Sequence, residues 1–134
     1  MDKYNFKKHH DAINKIKELC HARNSIETCG FLGFNEEDQT YIVQHEENCS
    51  PEPSLYFEIN AFNYLSFKET YQTICVFHSH IVGDSSPSEF DIKMSENCCL
   101  PFLIYSLGGD SLSLYEPKNC DSNLEYLNKI KIFL

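Results

Sequence analysis

The run TICVF at residues 73–77 limits the possible folds of this chain more than any other stretch of its sequence. It is continuously apolar and contains β-branched side chains, as is typical of a strand that is buried on both faces. The stretch PFLIYSL at 101–107 is similarly apolar and predicts a second buried strand. Strands of this kind need other secondary structure packed on them, so we expect a sheet with helices on its faces.

Segments with helical or strand-like periodicity surround these two runs. The patterns predict three helices, at 8–22, 60–71 and 88–98. They also predict four further strands, at 27–34, 40–46, 55–59 and 111–116. The last stretch, 122–134, fits either a helix or a strand. The order α-β-β-β-α-β-α-β-β predicts an α/β fold with a mixed β-sheet flanked by helices, in a single domain of residues 1–134.

Charge and composition argue against several classes of function. The formal net charge is −9, which gives little support to nucleic-acid binding, because the phosphate backbone rewards clustered Lys and Arg. No apolar run approaches the ~20 residues that a membrane span needs. The N-terminus, MDKYNFKKHHDAINKIKEL, lacks the apolar segment of a secretory signal. We therefore expect a cytoplasmic protein without nucleic-acid or membrane partners.

The seven cysteines lie at positions 20, 29, 49, 75, 98, 99 and 120. An odd number of cysteines without a signal peptide argues against a disulfide framework. Because no CxxC pair occurs, a structural zinc site built from cysteines is not expected. All seven are therefore predicted to be buried or free thiols.

The segment HSHIVGDSSPSEFD at 78–91 carries the clearest chemistry. His78 and His80 follow the predicted buried strand, and because side chains alternate along a strand, both should point to the same face. A loop rich in Ser and Pro then leads to Asp91, in the first turn of a predicted helix. Two imidazoles and a carboxylate can bind one metal ion and leave a fourth tetrahedral position for water, as catalytic zinc requires.

This segment also has a purely structural interpretation. The pattern Ser88-x-x-Asp91 fits a helix start in which Ser88 caps the helix and Asp91 lies near its positive end. A His-x-His pair is common by chance. Capping and metal binding are nevertheless compatible, because a cap leaves the Asp91 carboxylate free to turn toward a metal.

A zinc hydrolase also needs a general base, and with both histidines as ligands a carboxylate is the natural candidate. Glu27 lies at the start of a predicted strand, ETCGFLGF, whose glycines allow neighbouring backbone to approach closely. The alternative interpretation is an exposed carboxylate at a strand edge, since glutamate is mostly exposed in proteins.

Together, IETCGFLGF and HSHIVGDSSPSEFD resemble the signature of the JAMM/MPN+ (JAB domain) zinc metallopeptidases. That signature is an upstream Glu, then His-Ser/Thr-His, seven residues, Ser, two residues and Asp. Every motif position is filled, by Glu27, His78, Ser79, His80, Ser88 and Asp91. The likeness covers nearly the whole chain and implies a single-domain, cytidine-deaminase-like MPN fold. The stretch LPFLIYSL resembles the small bacterial JAB-type members in particular.

The resemblance also implies roles for these residues. His78, His80 and Asp91 would bind one Zn²⁺ per chain, with water as the fourth ligand. Glu27 would act as the general base and pass a proton to the leaving amine. Ser88 would donate a hydrogen bond to the oxyanion of the tetrahedral intermediate.

The resemblance implies a ubiquitin-like protein as substrate, since the family includes isopeptidases and bacterial enzymes that trim ubiquitin-like precursors. The reaction would be deconjugation or precursor processing at the C-terminal tail. Small bacterial members also occur with conjugation enzymes in Bil-type antiphage operons, which would be further partners. Two alternatives remain open: a phage tail-tip JAB peptidase with the same core and motif, and a non-catalytic MPN scaffold, whose members have usually lost metal ligands.

Some positions depart from the family or carry no chemistry. Ser79, a small polar residue between two ligands, is expected to be structural. Ile81 stands where most members have proline, although this removes no chemical group. The loop at 47–54 is short where eukaryotic deubiquitinases carry a substrate-gripping insertion, and 100–120 leaves no room for a second one. A preference for one ubiquitin linkage type is therefore not expected.

Overall fold

The structure is a computed structural model that describes residues 2–118, 120, 124–132 and 134. Within these ranges the chain forms one six-stranded sheet and four helices. The strands are β1 Lys3–Phe6, β2 Cys29–Asn35, β3 Thr40–Glu46, β4 Gln72–His80, β5 Phe102–Ser106 and β6 Ser111–Tyr115. The helices are α1 His9–Ala22, α2 Ala61–Thr70, α3 Glu89–Cys98 and α4 Leu124–Lys131.

The sheet is mixed and has the strand order β1-β3-β2-β4-β5-β6. β4 and β5 are parallel and are connected through α3, as a parallel pair requires a crossover. The other neighbouring strands are antiparallel, including β2 and β3, which form a hairpin. β4 contains the apolar run 73–77 and lies between β2 and β5, in the interior of the sheet. The predicted α/β fold with a mixed sheet and flanking helices is confirmed.

Apolar clusters cover both faces of the sheet. On one face, Ile16 of α1 and Leu127 of α4 belong to a cluster with Phe77 of β4. On the other, Phe67 of α2 stacks on Phe31 of β2 with ring centroids 4.9 Å apart. Because β4 contributes side chains to both clusters, the strand is apolar along most of its length.

Close packing around β2 depends on a glycine. A Cβ atom at Gly30 would overlap the carbonyl oxygen of Gln44 in β3 and lie 2.6 Å from ring carbons of Phe77 in β4. Neither neighbour can yield easily, because one is backbone and the other is a fully buried ring. The expectation that glycines in this strand permit close approach is therefore confirmed.

The prediction of a strand at 55–59 is wrong, because these residues form no strand. Their backbone groups bond to the preceding loop instead of a neighbouring strand. Asn48 Nδ2 donates to the carbonyl of Tyr56 at 3.0 Å, and the amide of Glu58 donates to Asn48 Oδ1 at 3.2 Å. The amide of Cys49 donates to the carbonyl of Glu58 at 2.8 Å. The Asn48 side chain and the preceding loop thus satisfy the backbone hydrogen-bonding groups of a segment whose composition resembles that of a strand.

The structure adds a strand at the N-terminal end of the chain and decides an open prediction near the C-terminal end. β1 is absent from the sequence-based prediction, because a four-residue edge strand of alternating exposed and half-buried side chains has only a weak pattern. The last stretch forms a helix over Leu124–Lys131, which decides between its two possible patterns there; residues 122, 123 and 133 lie outside the described ranges.

No helix in the described part of the chain is long and apolar enough to span a membrane.

The prediction that all seven cysteines are free is wrong for Cys99 and Cys120, which form a disulfide. Their Cα atoms are 5.5 Å apart, within the usual range for such a bond. The end of α3 packs beside the end of β6 and the residues after it, where Glu96 accepts hydrogen bonds from Tyr115 and Lys118. Sequence spacing does not reveal this proximity. The other cysteines are free: Cys20, Cys29, Cys49, Cys75 and Cys98.

Candidate metal centre

Two histidines and an aspartate converge at the C-terminal end of β4. His78 and His80 are two residues apart on this strand, so their rings lie on one face, with centroids 5.2 Å apart. Asp91, in the first turn of α3, places one carboxylate oxygen 3.0 Å from His78 Nε2 and the other 2.9 Å from His80 Nε2. One ligand atom from each residue lies within 4.8 Å of the others, so the group can hold a metal ion.

The start of α3 fixes the Asp91 carboxylate. Ser88 is the N-cap, and its Oγ accepts a hydrogen bond from the Asp91 amide at 3.0 Å. In return, Asp91 Oδ2 accepts from the Ser88 amide at 3.0 Å, which completes a capping box. The capping interpretation of Ser88-x-x-Asp91 is thus confirmed, and the same carboxylate still contacts both histidines. Because Ser88 Oγ acts as an acceptor in the cap, its own hydrogen can be donated elsewhere.

A hydrogen bond fixes the orientation of the His80 ring. Its Nδ1 lies 2.9 Å from the carbonyl oxygen of Asp84, in the loop between β4 and α3. A carbonyl oxygen only accepts, so Nδ1 carries the hydrogen and, in the neutral ring, Nε2 keeps its lone pair. Nε2 is the atom that faces Asp91. This is the usual arrangement of a metal-binding histidine, whose second nitrogen donates to an outer acceptor.

His78 provides a test of whether a metal fits this site. It is fully buried, and within the described ranges neither ring nitrogen has a hydrogen-bond partner. Its Nε2 is close to Asp91 but lacks the geometry of a hydrogen bond. A buried polar atom without a partner costs about 1–3 kcal/mol, which a bound cation at Nε2 would offset. Two imidazole nitrogens and a carboxylate oxygen also form a donor set that suits zinc, so the residues fit the ion.

The ionisation states of His78 and Asp91 favour a cation. Burial lowers the pKa of His78, although contact with Asp91 opposes this effect. The hydrogen bond with Asp91 raises the pKa of His80. Burial alone would raise the pKa of Asp91, but its contacts with the two histidines hold that pKa below the usual range. An ionised Asp91 beside a neutral His78 is the state in which both can act as ligands.

Glu27 lies next to this group, two residues before β2. The pairing of Cys29 with His78 across β2 and β4, continued by two residues, brings Glu27 opposite His80. Its side chain is only 7% exposed, so the alternative of an exposed strand-edge carboxylate is wrong. Burial raises the pKa of Glu27 to about 8, while His80 lowers it and Asp91 raises it.

Ser79 and Asn48 hold the backbone around Glu27. Ser79 Oγ accepts from the Thr28 amide at 2.9 Å, and the Ser79 amide donates to the Thr28 carbonyl at 2.9 Å. Asn48 Nδ2 donates to the carbonyl of Glu27 at 2.9 Å. Ser79 therefore attaches the segment that carries Glu27 to the strand that carries both histidines, which agrees with the structural role expected of it.

An open cleft of about 660 Å³ gives access to the site. Glu27, His80 and Ser88 all contribute to its lining. Ile81, at the position where the family resemblance predicts proline, is half-buried and also lines the cleft. The lining further includes four apolar side chains, from the 54–56 segment, the loop after β4 and α3: Leu55, Tyr56, Val82 and Phe90.

The structure brings all five candidate residues to one place, with Glu27 and Ser88 at the cleft and the three candidate ligands around one point. Sequence reasoning missed Phe57, which stacks on the His78 ring with centroids 4.3 Å apart. It also missed Asn48, which orders both the 55–59 segment and the backbone of Glu27. No sequence pattern indicates either contact, because both join segments whose proximity is set by the tertiary fold.

Comparisons with known proteins agree with this fold. The solution structure of protein DSY2949 from Desulfitobacterium hafniense matches with a TM-score of 0.56 and 18% identity, over 89% of this chain and 95% of that one. The solution structure of a protein from Salinibacter ruber (strain DSM 13855) matches with a TM-score of 0.50 and 17% identity, over 79% of this chain and 78% of that one. At such identities the likeness shows the fold alone.

The family comparison is more specific. No curated protein sequence matches the chain. The model of the Prok-JAB family, described as prokaryotic homologs of the JAB domain, matches residues 9–118. This range runs from the start of α1 past the end of β6 and includes every residue of the candidate site. The chain therefore belongs to the Prok-JAB family.

Proposed function

We propose that this protein is a zinc-dependent peptidase or isopeptidase that cleaves after the C-terminal tail of a ubiquitin-like protein. The observation that carries the proposal is a cleft lined by His80 of the candidate metal-binding triad, by the buried carboxylate of Glu27 and by the exposed Ser88. Hydrolysis of an amide bond uses three such groups, for electrophilic activation, proton transfer and stabilisation of the oxyanion.

Zinc held by His78, His80 and Asp91 would supply hydroxide at neutral pH by lowering the pKa of a water molecule to about 7. Glu27 accepts a proton from the attacking water and passes it to the leaving amine. Its burial suits this task, because a carboxylate whose pKa lies near neutrality both accepts and releases a proton readily. Ser88 donates its free hydroxyl hydrogen to the developing oxyanion.

The cleft is suited to an extended peptide rather than to an enclosed small molecule. It is open to solvent, and Leu55 and Val82, which line it, leave 63% and 88% of their surfaces exposed. Apolar side chains of a chain end can cover such surface, while the main chain remains extended beside Glu27. A protruding C-terminal tail has this shape, which supports a ubiquitin-like protein as the substrate class.

The test incubates zinc-loaded protein with ubiquitin-like proteins encoded beside its gene, each fused at the C-terminus to a short peptide or joined to a lysine side chain. Cleavage at the end of the tail is expected, with loss of activity on adding a chelator and recovery on adding zinc. Glu27→Ala should bind zinc in the wild-type amount and cleave nothing. Glu52→Ala, which changes an exposed glutamate, is the matched control and should cleave normally.

Each outcome separates one part of the proposal from the rest. If zinc-loaded protein cleaves no tail, whether the tail is fused to a peptide or joined to a lysine side chain, the proposed substrate class is rejected. Normal cleavage by Glu27→Ala rejects Glu27 as the base while retaining the metal centre. Zinc-loaded protein that binds a ubiquitin-like protein tightly without cleaving it would support a scaffold instead of an enzyme.

A further inference from the structure

We propose that four serines act as positioning residues for His80: Ser85, Ser106, Ser111 and Ser113, called here the serine cluster. Their hydrogen bonds fix the loop of residues 81–87, and a carbonyl of that loop fixes the His80 ring. The inference rests on the metal centre of the proposed function, and it assigns a role to residues outside the family motif.

The sheet register places the serine cluster on the face of the metal centre. His80 is paired with Ser106 of β5, and Ser106 is paired with Ser111 of β6. The neighbouring row leads in the same way from His78, across β5, to Ser113 of β6. Residues paired across adjacent strands point to the same face. Ser106, Ser111 and Ser113 therefore continue the two rows of side chains that contain the histidines, while Ser85 belongs to the loop that they contact.

Hydrogen bonds attach the loop to β5 and β6 at two points. Ser106 Oγ donates to the carbonyl of Gly83 at 2.8 Å. Ser85 Oγ lies 2.6 Å from Ser113 Oγ and accepts from Ser111 Oγ at 3.1 Å. Gly83 has a φ of 87°, a conformation that side chains rarely tolerate, so the first attachment point also requires glycine. The loop is thus held at two residues that are separated by one position.

The residue between these attachment points is Asp84, whose carbonyl oxygen accepts from His80 Nδ1 at 2.9 Å. The Asp84 side chain also accepts from the Ser86 amide at 2.9 Å, which sets the local turn. The position of the Asp84 carbonyl therefore decides the direction of the His80 ring and of its Nε2 atom. Fixing Gly83 and Ser85 fixes that carbonyl from both sides.

Apolar packing does little to hold this loop. Val82 is 88% exposed, and Asp84 and Ser86 are exposed as well. By contrast, Ser85 and Ser106 are buried, at 5% and 0% exposure. A surface loop that buries little apolar area is held mainly by its hydrogen bonds, and without them it samples more conformations. The serine cluster is therefore the structural reason that the loop presents one carbonyl to His80.

The test measures the zinc affinity of Ser106→Ala by competition with a chromophoric chelator, together with the visible absorption spectrum after cobalt substitution. We expect affinity to fall by about 10- to 100-fold, as when an outer partner of a metal ligand is removed. The cobalt bands should shift, because they depend on the geometry around the ion. Neither measurement requires that the protein hydrolyse a substrate.

Ser95→Ala is the matched control. Ser95, one helical turn after Asp91, is also fully buried and donates to a backbone carbonyl, that of Leu100 at 2.5 Å, but its bond does not involve the 81–87 loop. It should lose a comparable amount of stability yet keep wild-type zinc affinity and cobalt bands. Ser113→Ala, at a half-buried position, is a second variant that should reproduce the loss if Ser106→Ala does not fold.

Wild-type zinc affinity and cobalt bands in the folded variants of Ser106 and Ser113 would overturn the proposal. A loss of affinity that Ser95→Ala shares equally would overturn it too, since the effect would then reflect stability alone. Wild-type protein that binds no zinc overturns this inference and the proposed function together. Wild-type protein that binds zinc but cleaves nothing overturns the proposed function alone.

Discussion

Replacing Glu27 by glutamine should change how the stability of the metal-free protein depends on pH. Burial raises the pKa of Glu27 from 4.5 to about 8 in the folded protein, with a smaller opposing effect of His80 and a reinforcing effect of Asp91. In the unfolded chain the same carboxyl titrates near its ordinary value. Between these two pKa values the folded state binds a proton that the unfolded state has lost. The free energy of unfolding therefore falls as pH rises through this range.

The size of the effect follows from the shift. The difference between about 8 and 4.5 is about 3.5 units, and at ~1.4 kcal/mol per unit this sets a ceiling of ~5 kcal/mol. Because Glu27 borders an open cleft, solvent screening reduces the expected contribution to about 1–2 kcal/mol. Glutamine carries no charge at any pH, so Glu27→Gln should gain about 1–2 kcal/mol over the wild type between pH 5 and pH 8.5.

Urea unfolding of chelator-treated proteins at pH 5, 7 and 8.5 measures this difference, followed by circular dichroism because the chain contains no tryptophan. Glu52→Gln, at an exposed position, is the control and should track the wild type throughout. Zinc added at pH 8.5 should reduce the advantage of Glu27→Gln, since a nearby cation stabilises the ionised carboxylate. Parallel pH profiles for the wild type and Glu27→Gln would refute the reasoning.

Three further substitutions probe the site and the sheet. Ser88→Ala should lower kcat for tail cleavage by ~10²–10³ and cost about 1 kcal/mol in urea unfolding through loss of the helix cap; an unchanged kcat would leave Ser88 with capping alone. Asp91→Ala should reduce the zinc content well below one ion per chain in elemental analysis, and a full zinc content would contradict its assignment as a ligand. Gly30→Ala should lower the free energy of unfolding by about 1–3 kcal/mol, because its Cβ would overlap neighbouring atoms. Wild-type stability in urea would show that the strands can move apart there.

The elements with strong local patterns could be predicted from the sequence. The apolar run at 73–77 became the interior strand β4, and the capped segment at 88–98 became α3 at nearly its full length. The failures involve segments whose hydrogen-bond partners are not indicated by their own residue pattern. The 55–59 segment has strand-like composition but hydrogen-bonds to Asn48, and β1 becomes a strand through its pairing with β3. The composition of a segment does not determine which neighbouring group its backbone will hydrogen-bond.

The same distinction applies to the candidate site. His78, His80 and Asp91 could be grouped from the sequence because strand alternation and a short loop determine their relative positions. The nearness of Glu27 to His80 could be inferred only from the family resemblance, since it depends on the pairing of β2 with β4. The serine cluster could not be predicted from the sequence for the same reason. Only the register of β4, β5 and β6 brings it to the histidines.

The separation of Glu27 from the candidate ligands has an evolutionary consequence. The candidate ligands belong to one strand–loop–helix unit at 78–91, whereas Glu27 lies just before β2 and is held there by the hydrogen bonds between Thr28 and Ser79. In the proposed mechanism, a single mutation at Glu27 would therefore silence hydrolysis and leave the sheet, the helix cap and the candidate metal centre intact. Loss of Asp91 instead leaves His78 buried without a compensating partner. Descendants of this chain that become binding proteins should accordingly lose the base before they lose the metal.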